Sequence, residues 1–331
     1  MEDENLEKTV HFESRLDLTS LSSKLGNIKS EISKVIVGQE KVIDLIMVAM
    51  LANGHVLLEG VPGVAKTLLA KLFARAIDSG FSRIQFTPDL MPSDILGTSV
   101  FDLKTSLFTY KKGPVFSNII LIDEINRSPA KTQAALFEVM EEQQVTMDGV
   151  TYPMSKPFMV IATQNPIEHE GTYRLPEAQL DRFLLKINIS YPSLEEEIII
   201  LNKEHSNRLE RKQDIVHPVI TALEIMELQK VIREIIVEPE LLEYIAKISK
   251  RTRENSSLYL GASPRASIAL LKSSKAYAAI MGRDFVTPDD IKAIAIYVLQ
   301  HRVIVSPAQE MENITSAKII GQILDSIDVP R

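Results

Sequence analysis

Gly60-Val61-Pro62-Gly63-Val64-Ala65-Lys66-Thr67 stands between a short apolar run, His55 to Glu59, and a helix-forming run that begins at Lys66. Two glycines, one lysine and one hydroxyl at that spacing, after a strand and before a helix, form the pattern of a loop that wraps phosphate oxygens. Loop N–H groups and the positive end of the helix supply the donors. Lys66 is placed to reach the β- and γ-phosphates and Thr67 to offer oxygen to Mg²⁺, with the contact set running on to Leu68. Ala65 occupies the place where glycine is usual. It keeps the N–H donor and adds a methyl group that tolerates positive φ poorly, which is compatible with binding. An ordinary Gly-Pro turn is the plainer alternative.

Five further residues extend the chemistry. Ile119 to Ile122 is apolar and ends in Asp123-Glu124, two carboxylates at the tip of a strand. In an α/β sheet ligands bind at that edge. Asp123 suits Mg²⁺, which selects oxygen ligands, and Glu124 is placed to polarise a water for attack on a γ-phosphate. Taken alone, the pair could equally cap a helix starting near Ser128. Phe158 to Thr163 is followed by Gln164-Asn165-Pro166, where Asn165 either orients that water or serves as an Asn-Pro turn residue. Arg182, in a helical segment before the last strand, is either a partner of Asp181 or a finger that neutralises charge on a neighbouring subunit's nucleotide. Arg265 opens a helix, where a cation opposes the macrodipole, so it answers to an anion or to solvent.

These residues need a scaffold that alternates strands and helices. Leu18, Leu21, Leu25, Ile28, Ile32 and Val35 form one helical stripe, and residues before about Leu16 are expected to fray. A helix over about 39–53 precedes His55 to Glu59, and Lys66 starts the next. Arg83 to Phe86, Asn118 to Ile122, Phe158 to Thr163 and Leu184 to Ile189 read as further strands. The pattern predicts a parallel sheet sandwiched by helices. Two hairpins interrupt it: Val100 to Asp102 with Phe108 to Lys111, and Gln144 to Met147 with Thr151 to Pro153 around Asp148-Gly149. After Pro192 only helical signals follow, over about 193–207, 221–234, 239–255, 264–281 and 288–301. Ser193 before Glu195 and Glu196, and Thr287-Pro288-Asp289, mark two starts. Arg208 to His217 is polar and reads as a hinge or linker. The expected organisation is a tail and amphipathic helix at 1–35, a nucleotide-binding domain with two hairpin insertions at 36–192, a connecting helix and linker at 193–217, and an all-helical lid at 218–331.

The 331 residues suit about two domains. No apolar run approaches the roughly 18 to 20 residues of a membrane-spanning helix. The acidic start MEDENLEKTV lacks a secretory pattern. With no cysteine there is no disulfide framework or thiolate zinc site, which suits a reducing cytoplasm. A net charge of −7 argues against broad attraction to nucleic acid or anionic lipid.

Together the motifs resemble the AAA+ ATPases, and within them the MoxR family. The residues that carry the likeness are GVPGVAKT, QFTPDLMPSDILGT at 85–98, LIDEINRSPAKTQAALFEVMEE at 121–142, ATQNP, LPEAQLDRF and GASPRAS. The resemblance runs from about Val35 to the C-terminus, and alanine before the lysine is itself similar to the MoxR form. It implies a Walker A loop at 60–67, a Walker B pair at Asp123 and Glu124, sensor 1 at Asn165, an arginine finger at Arg182 and sensor 2 at Arg265. It also implies ATP with Mg²⁺, an adenine site at Val37 and Gly38, and a hexameric ring. Its implied role is chaperone-like work on proteins bearing von Willebrand factor A domains. A nucleic-acid remodeller using Lys104, Lys111 and Lys112, and a nucleotide-gated scaffold, are the competing readings. No acceptor site for a small-molecule kinase emerges.

Overall fold

A computed structural model of the chain describes residues 18–104, 106–165, 175–206 and 214–330. The fraying expected before Leu16, Pro166 of ATQNP, and most of the expected linker lie outside the described residues. The first half runs α1 (Thr19–Ser33), α2 (Glu40–Leu51), β1 (Val56–Gly60), α3 (Lys66–Ala76), β2 (Phe81–Gln85), α4 (Pro92–Leu96), β3 (Gly97–Asp102), β4 (Leu107–Lys112) and β5 (Ile119–Asp123). It continues through α5 (Ala130–Glu142), β6 (Gln144–Met147), β7 (Val150–Pro153), β8 (Met159–Gln164), α6 (Glu177–Leu180) and β9 (Leu185–Ile189). The remainder is α7 (Leu194–Ser206), α8 (Ala222–Arg233), α9 (Pro239–Glu254), β10 (Leu258–Leu260), α10 (Pro264–Ile280), α11 (Pro288–Leu299), β11 (Ile304–Val305), α12 (Pro307–Met311) and α13 (Ser316–Asp325).

Five strands form one parallel sheet in the order β2-β5-β8-β1-β9. Its strands read as unbroken apolar runs because both faces are buried. Leu57, Ile120, Ile122, Val160 and Ala162 face a cluster that includes Leu136, Phe137 and Met140 of α5. Their neighbours Val56, Leu58, Ile119, Leu121, Met159 and Ile161 face the opposite cluster, which is continuous with α1, α2, α3 and the C-terminal helices. Each Val, Leu, Ile or Met among them contributes about 1.5–3 kcal/mol by leaving water. β8 lies between β1 and β5, so three strand tips carrying candidate residues end side by side.

The helices begin where capping chemistry allows. Thr287 and Asp290 form a reciprocal capping box at the start of α11, and buried Asp290 also takes Arg283 Nη1 at 2.6 Å and Nη2 at 2.5 Å. Ser193 and Glu196 exchange the same kind of bonds before α7. Beyond Pro192 the expectation of helices alone needs amendment. β10 pairs with β11 over only a few residues, and Ile236 bridges Phe285. Segments this short carry no readable period of two. The described end of the expected linker is held against α3, with Arg75 Nε donating to the Val216 carbonyl at 2.7 Å.

Both hairpins are present and they touch: Tyr110 and Tyr152 have ring centroids 4.7 Å apart. Phe101 and Phe108 pair across the first, with centroids 5.2 Å apart, and Phe108 is 72% exposed. Among the described residues no helix is long and apolar enough to cross a membrane.

His55, just before β1, ties the sheet to α5. Its Nδ1 accepts from the Val160 N–H at 3.0 Å, so the proton lies on Nε2, 3.1 Å from the Met140 carbonyl. Burial pushes its pKa down to about 4. Between that value and the ordinary 6.5 the unfolded chain binds more protons than the folded one, so stability is undiminished above pH 6.5 and is lost as pH falls toward 4. The difference amounts to about 3 kcal/mol from this ring. Denaturant unfolding at pH 7 and 4.5 should show the loss, and His55→Gln, whose amide offers a donor and an acceptor without titrating, should flatten that slope.

Candidate functional site

The loop between β1 and α3 carries its strain where sequence placed the exception. Gly63 has φ +91°, and Ala65 adopts the left-handed conformation with φ +58°. A left-handed alanine costs about 1 kcal/mol. No side chain caps the start of α3, so the amides of its first turn keep their donors for another partner. Gly60 is required by packing: a Cβ there would lie 2.7 Å from the Ile189 carbonyl oxygen of β9.

Lys66 Nζ bonds the Gly60 carbonyl and reaches the Val61 carbonyl at 3.3 Å, which folds the lysine back over its own loop. Burial pushes its pKa below the ordinary value, while Asp123, Glu124 and Glu59 pull it up. Asp123, only 6% exposed, receives Arg83 Nε at 2.6 Å, Thr163 Oγ1 at 3.2 Å and Thr67 Oγ1 at 3.3 and 3.4 Å. Strand register accounts for this convergence. Ile122 pairs with Ala162 and Gln85 with Asp123, so Thr163 of β8 and the tip of β2 stand level with the β5 carboxylate.

Glu124 follows in the left-handed region with φ +57°, fixed by its N–H donating to Thr163 Oγ1 at 3.0 Å. Its carboxylate takes Gln85 Nε2 and Arg127 Nε, each at 3.1 Å. Asn165 leaves the tip of β8 into the same cavity of about 410 Å³, which Pro62, Gly63, Ala65, Lys66, Thr67 and Leu68 also line. Arg83, Gln85 and Thr163 complete the wall. Sequence reasoning missed these three, because cross-strand register alone brings them to Asp123 and Glu124.

A second cavity of about 420 Å³ adjoins the first, sharing Gly63, Ala65 and Leu68. Val37 and Gly38 line it with Val64, Ile189 and Tyr297. Gln39 Nε2 donates to the Val64 carbonyl at 3.0 Å, fastening the start of α2 to the loop. The two spaces together offer amides, a lysine and a carboxylate-hydroxyl pair on one side and an apolar slot on the other. That donor set fits a polyphosphate, a hard divalent cation and a flat apolar base.

Arg182 and Arg265 do not enter either cavity. α6 ends at Leu180, so Arg182 stands in the turn before β9 rather than within a helix. Its Nη2 meets Glu141 Oε2 at 2.9 Å and its Nη1 the Phe137 carbonyl at 2.5 Å. Arg265 Nη2 takes the other oxygen of the same carboxylate at 2.7 Å. Both line a third space of about 210 Å³, with Gly54, His55, Lys272 and Arg302. His55 and Gly60 bracket β1, and five strand steps separate them by about 16 Å. The arginines therefore gather at the end of β1 opposite the loop.

Two family models match the chain: the ATPase family associated with various cellular activities (AAA) over residues 55–185, and the AAA lid domain over residues 250–323. The chain is 42% identical to Chaperone MoxR1 of Mycobacterium tuberculosis, over 91% of this chain and 81% of that one. It is 46% identical to YeaC of Bacillus subtilis, over 92% and 95%. It is also similar, at 42% identity and a TM-score of 0.88, to the crystal structure of a Cytophaga hutchinsonii protein described as a candidate ATPase, covering 95% of this chain and 97% of that one.

Replacing Ala65 with glycine should relieve the left-handed strain and raise stability by about 1 kcal/mol, read as a shift in denaturant midpoint at unchanged slope.

Proposed function

Because this chain belongs to the MoxR family of AAA+ ATPases, we propose that it hydrolyses ATP with Mg²⁺ as a ring, expected to be a hexamer, and uses the cycle to remodel or activate partner proteins. The observation that carries this reading is the convergence of Lys66, Thr67, Asp123, Glu124 and Asn165 on one cavity that opens beside the slot lined by Val37 and Gly38.

In this reading the amides from Gly60 to Leu68 and the uncapped start of α3 hold the triphosphate, and Lys66 leaves its loop carbonyls for the β- and γ-phosphates. Val37 and Gly38 flank the adenine. Thr67 and Asp123 hold Mg²⁺, which when bound offsets negative charge on the phosphates. Glu124 accepts a proton from the attacking water and Asn165 orients that water. Arg182 and Arg265 are too far from their own loop, so they answer to the nucleotide of an adjacent subunit. There its phosphates take the place of Glu141, and two guanidinium groups neutralise charge as the phosphoryl group transfers.

A change of angle between the sheet and the C-terminal helices moves the paired hairpins, whose exposed Phe101, Leu107 and Phe108 give an apolar grip on a client. Proteins with von Willebrand factor A domains are the proposed clients, a reading that family resemblance alone supports.

Glu124→Gln should lower turnover by about a hundredfold or more while ATP affinity holds within about threefold; equal steady-state rates in mutant and wild type would remove Glu124 from its role. Lys66→Ala should weaken ATP binding by about tenfold or more in calorimetric titration. Co-assembly of Arg182→Ala with Glu124→Gln should give more turnover than the two alone, since one supplies an intact cavity and the other an intact arginine. No gain on mixing refutes action between subunits.

A further inference from the structure

Gln300, His301 and Arg302 follow one another just beyond α11, and all three side chains grip the main chain of one stretch around Arg182. Gln300 Nε2 donates to the Lys186 carbonyl at 2.6 Å, and His301 Nε2 to that of Phe183 at 2.9 Å. Arg302 goes further. Its Nε meets Asp181 Oδ1 at 2.7 Å, its Nη2 the carbonyls of Phe183 at 2.6 Å and Asp181 at 3.2 Å, and its Nη1 those of Leu184 at 3.1 Å and Val298 at 2.5 Å. All five guanidinium N–H groups are used.

Arg302 is only 8% exposed, and burial pushes its pKa down while Asp181 pulls it back. A buried charge is a costly way to cover a strand edge, since apolar residues of similar size often do as well or better. What a five-donor fork adds is direction: one rigid planar group holds four oxygens of Asp181, Phe183 and Leu184 at once. Arg182 projects from the centre of that stretch. Asp181 also receives Ser263 Oγ at 3.2 Å and lies 3.8 Å from Arg265 Nη1, so the same carboxylate joins the start of α10.

We infer that Arg302 is a positioning residue for Arg182: seated at the end of α11, it locks the turn from Asp181 to Leu184 so that Arg182 and Arg265 are presented to a neighbouring subunit's nucleotide as one rigid unit. The inference rests on the reading that Arg182 acts between subunits. Catalytic groups lose about a hundredfold in rate when misplaced by about an ångström, and this clamp is the part of the fold that prevents such a shift. It also ties the C-terminal helices to the turn, so any rotation of α11 is passed to Arg182 directly.

The test uses Arg302→Lys, which keeps a cation against Asp181 but cannot fork to the carbonyls, and Asp181→Asn, which removes the charge from the other side. In the full-length assembly either variant should lower kcat by about tenfold or more, with ATP Kd from titration within about threefold of wild type. Co-assembled with Glu124→Gln, each should regain turnover above the sum of the two separate preparations, because its own cavity is intact and its neighbour supplies a well-placed arginine. A merely destabilised subunit gains nothing from mixing. Wild-type kcat in the variants that fold, or a loss that mixing leaves unrepaired while Arg182→Ala is repaired, overturns the inference and leaves the reading of Arg182 standing. Failure of Arg182→Ala itself to be repaired overturns both.

Discussion

A carboxylate at the tip of a strand buried on both faces must be paired, because an isolated buried charge is far too costly to retain. Asp123 meets that demand with Arg83 from β2, Thr163 from β8 and Thr67 from α3. Each partner comes from a different element, so the pairing fixes how four pieces of chain meet. The same contacts put a hydroxyl beside the carboxylate and set Glu124 in a left-handed turn beside the lysine of the loop. The arrangement that satisfies Asp123 is thus also the arrangement that gathers oxygen donors at one edge of the sheet.

Strand order explains why so few contacts accomplish this. With β8 between β1 and β5, an amide, a lysine loop and two carboxylates emerge at adjacent tips without any long excursion of the chain. Parallel pairing makes every strand point its end the same way, and helices on both faces keep water from the backbone bonds beneath. At this edge two non-glycine residues, Ala65 and Glu124, adopt the left-handed conformation. Strain of this kind persists where surrounding contacts overdetermine the backbone, as they do at the loop and at the tip of β5.

The opposite end of the sheet has a different character. Glu141 takes both Arg182 and Arg265, and Asp181 takes Arg302, so two carboxylates face three guanidinium groups at a distance from the loop cavity. In the proposed ring, two charged centres at the two ends of one strand would let each copy offer one end to the next. The C-terminal helices contribute to this second centre through the start of α10 and the segment after α11, while Tyr297 of α11 lines the slot beside the loop.

The amino-acid sequence determined the elements and the candidate chemistry: the loop at 60–67, the carboxylates 123 and 124, the two hairpins and the helical C-terminal third are all local signals of glycine spacing, apolar period and capping. The sequence marked Ala65 as the departure from the usual glycine, and the structure put it in the left-handed region. Partners that meet only across strands were not legible, since Arg83, Gln85 and Thr163 reach the carboxylates through register, which no stretch of chain encodes by itself. Neither was the short pairing of β10 with β11, too brief to show a period. Tertiary structure also decided which residues share a cavity. It put Arg182 and Arg265 around Glu141 at the far end of β1, because the turn before β9 and the start of α10 pack there, and it made Arg302, an ordinary arginine in the sequence, the buried link that holds them.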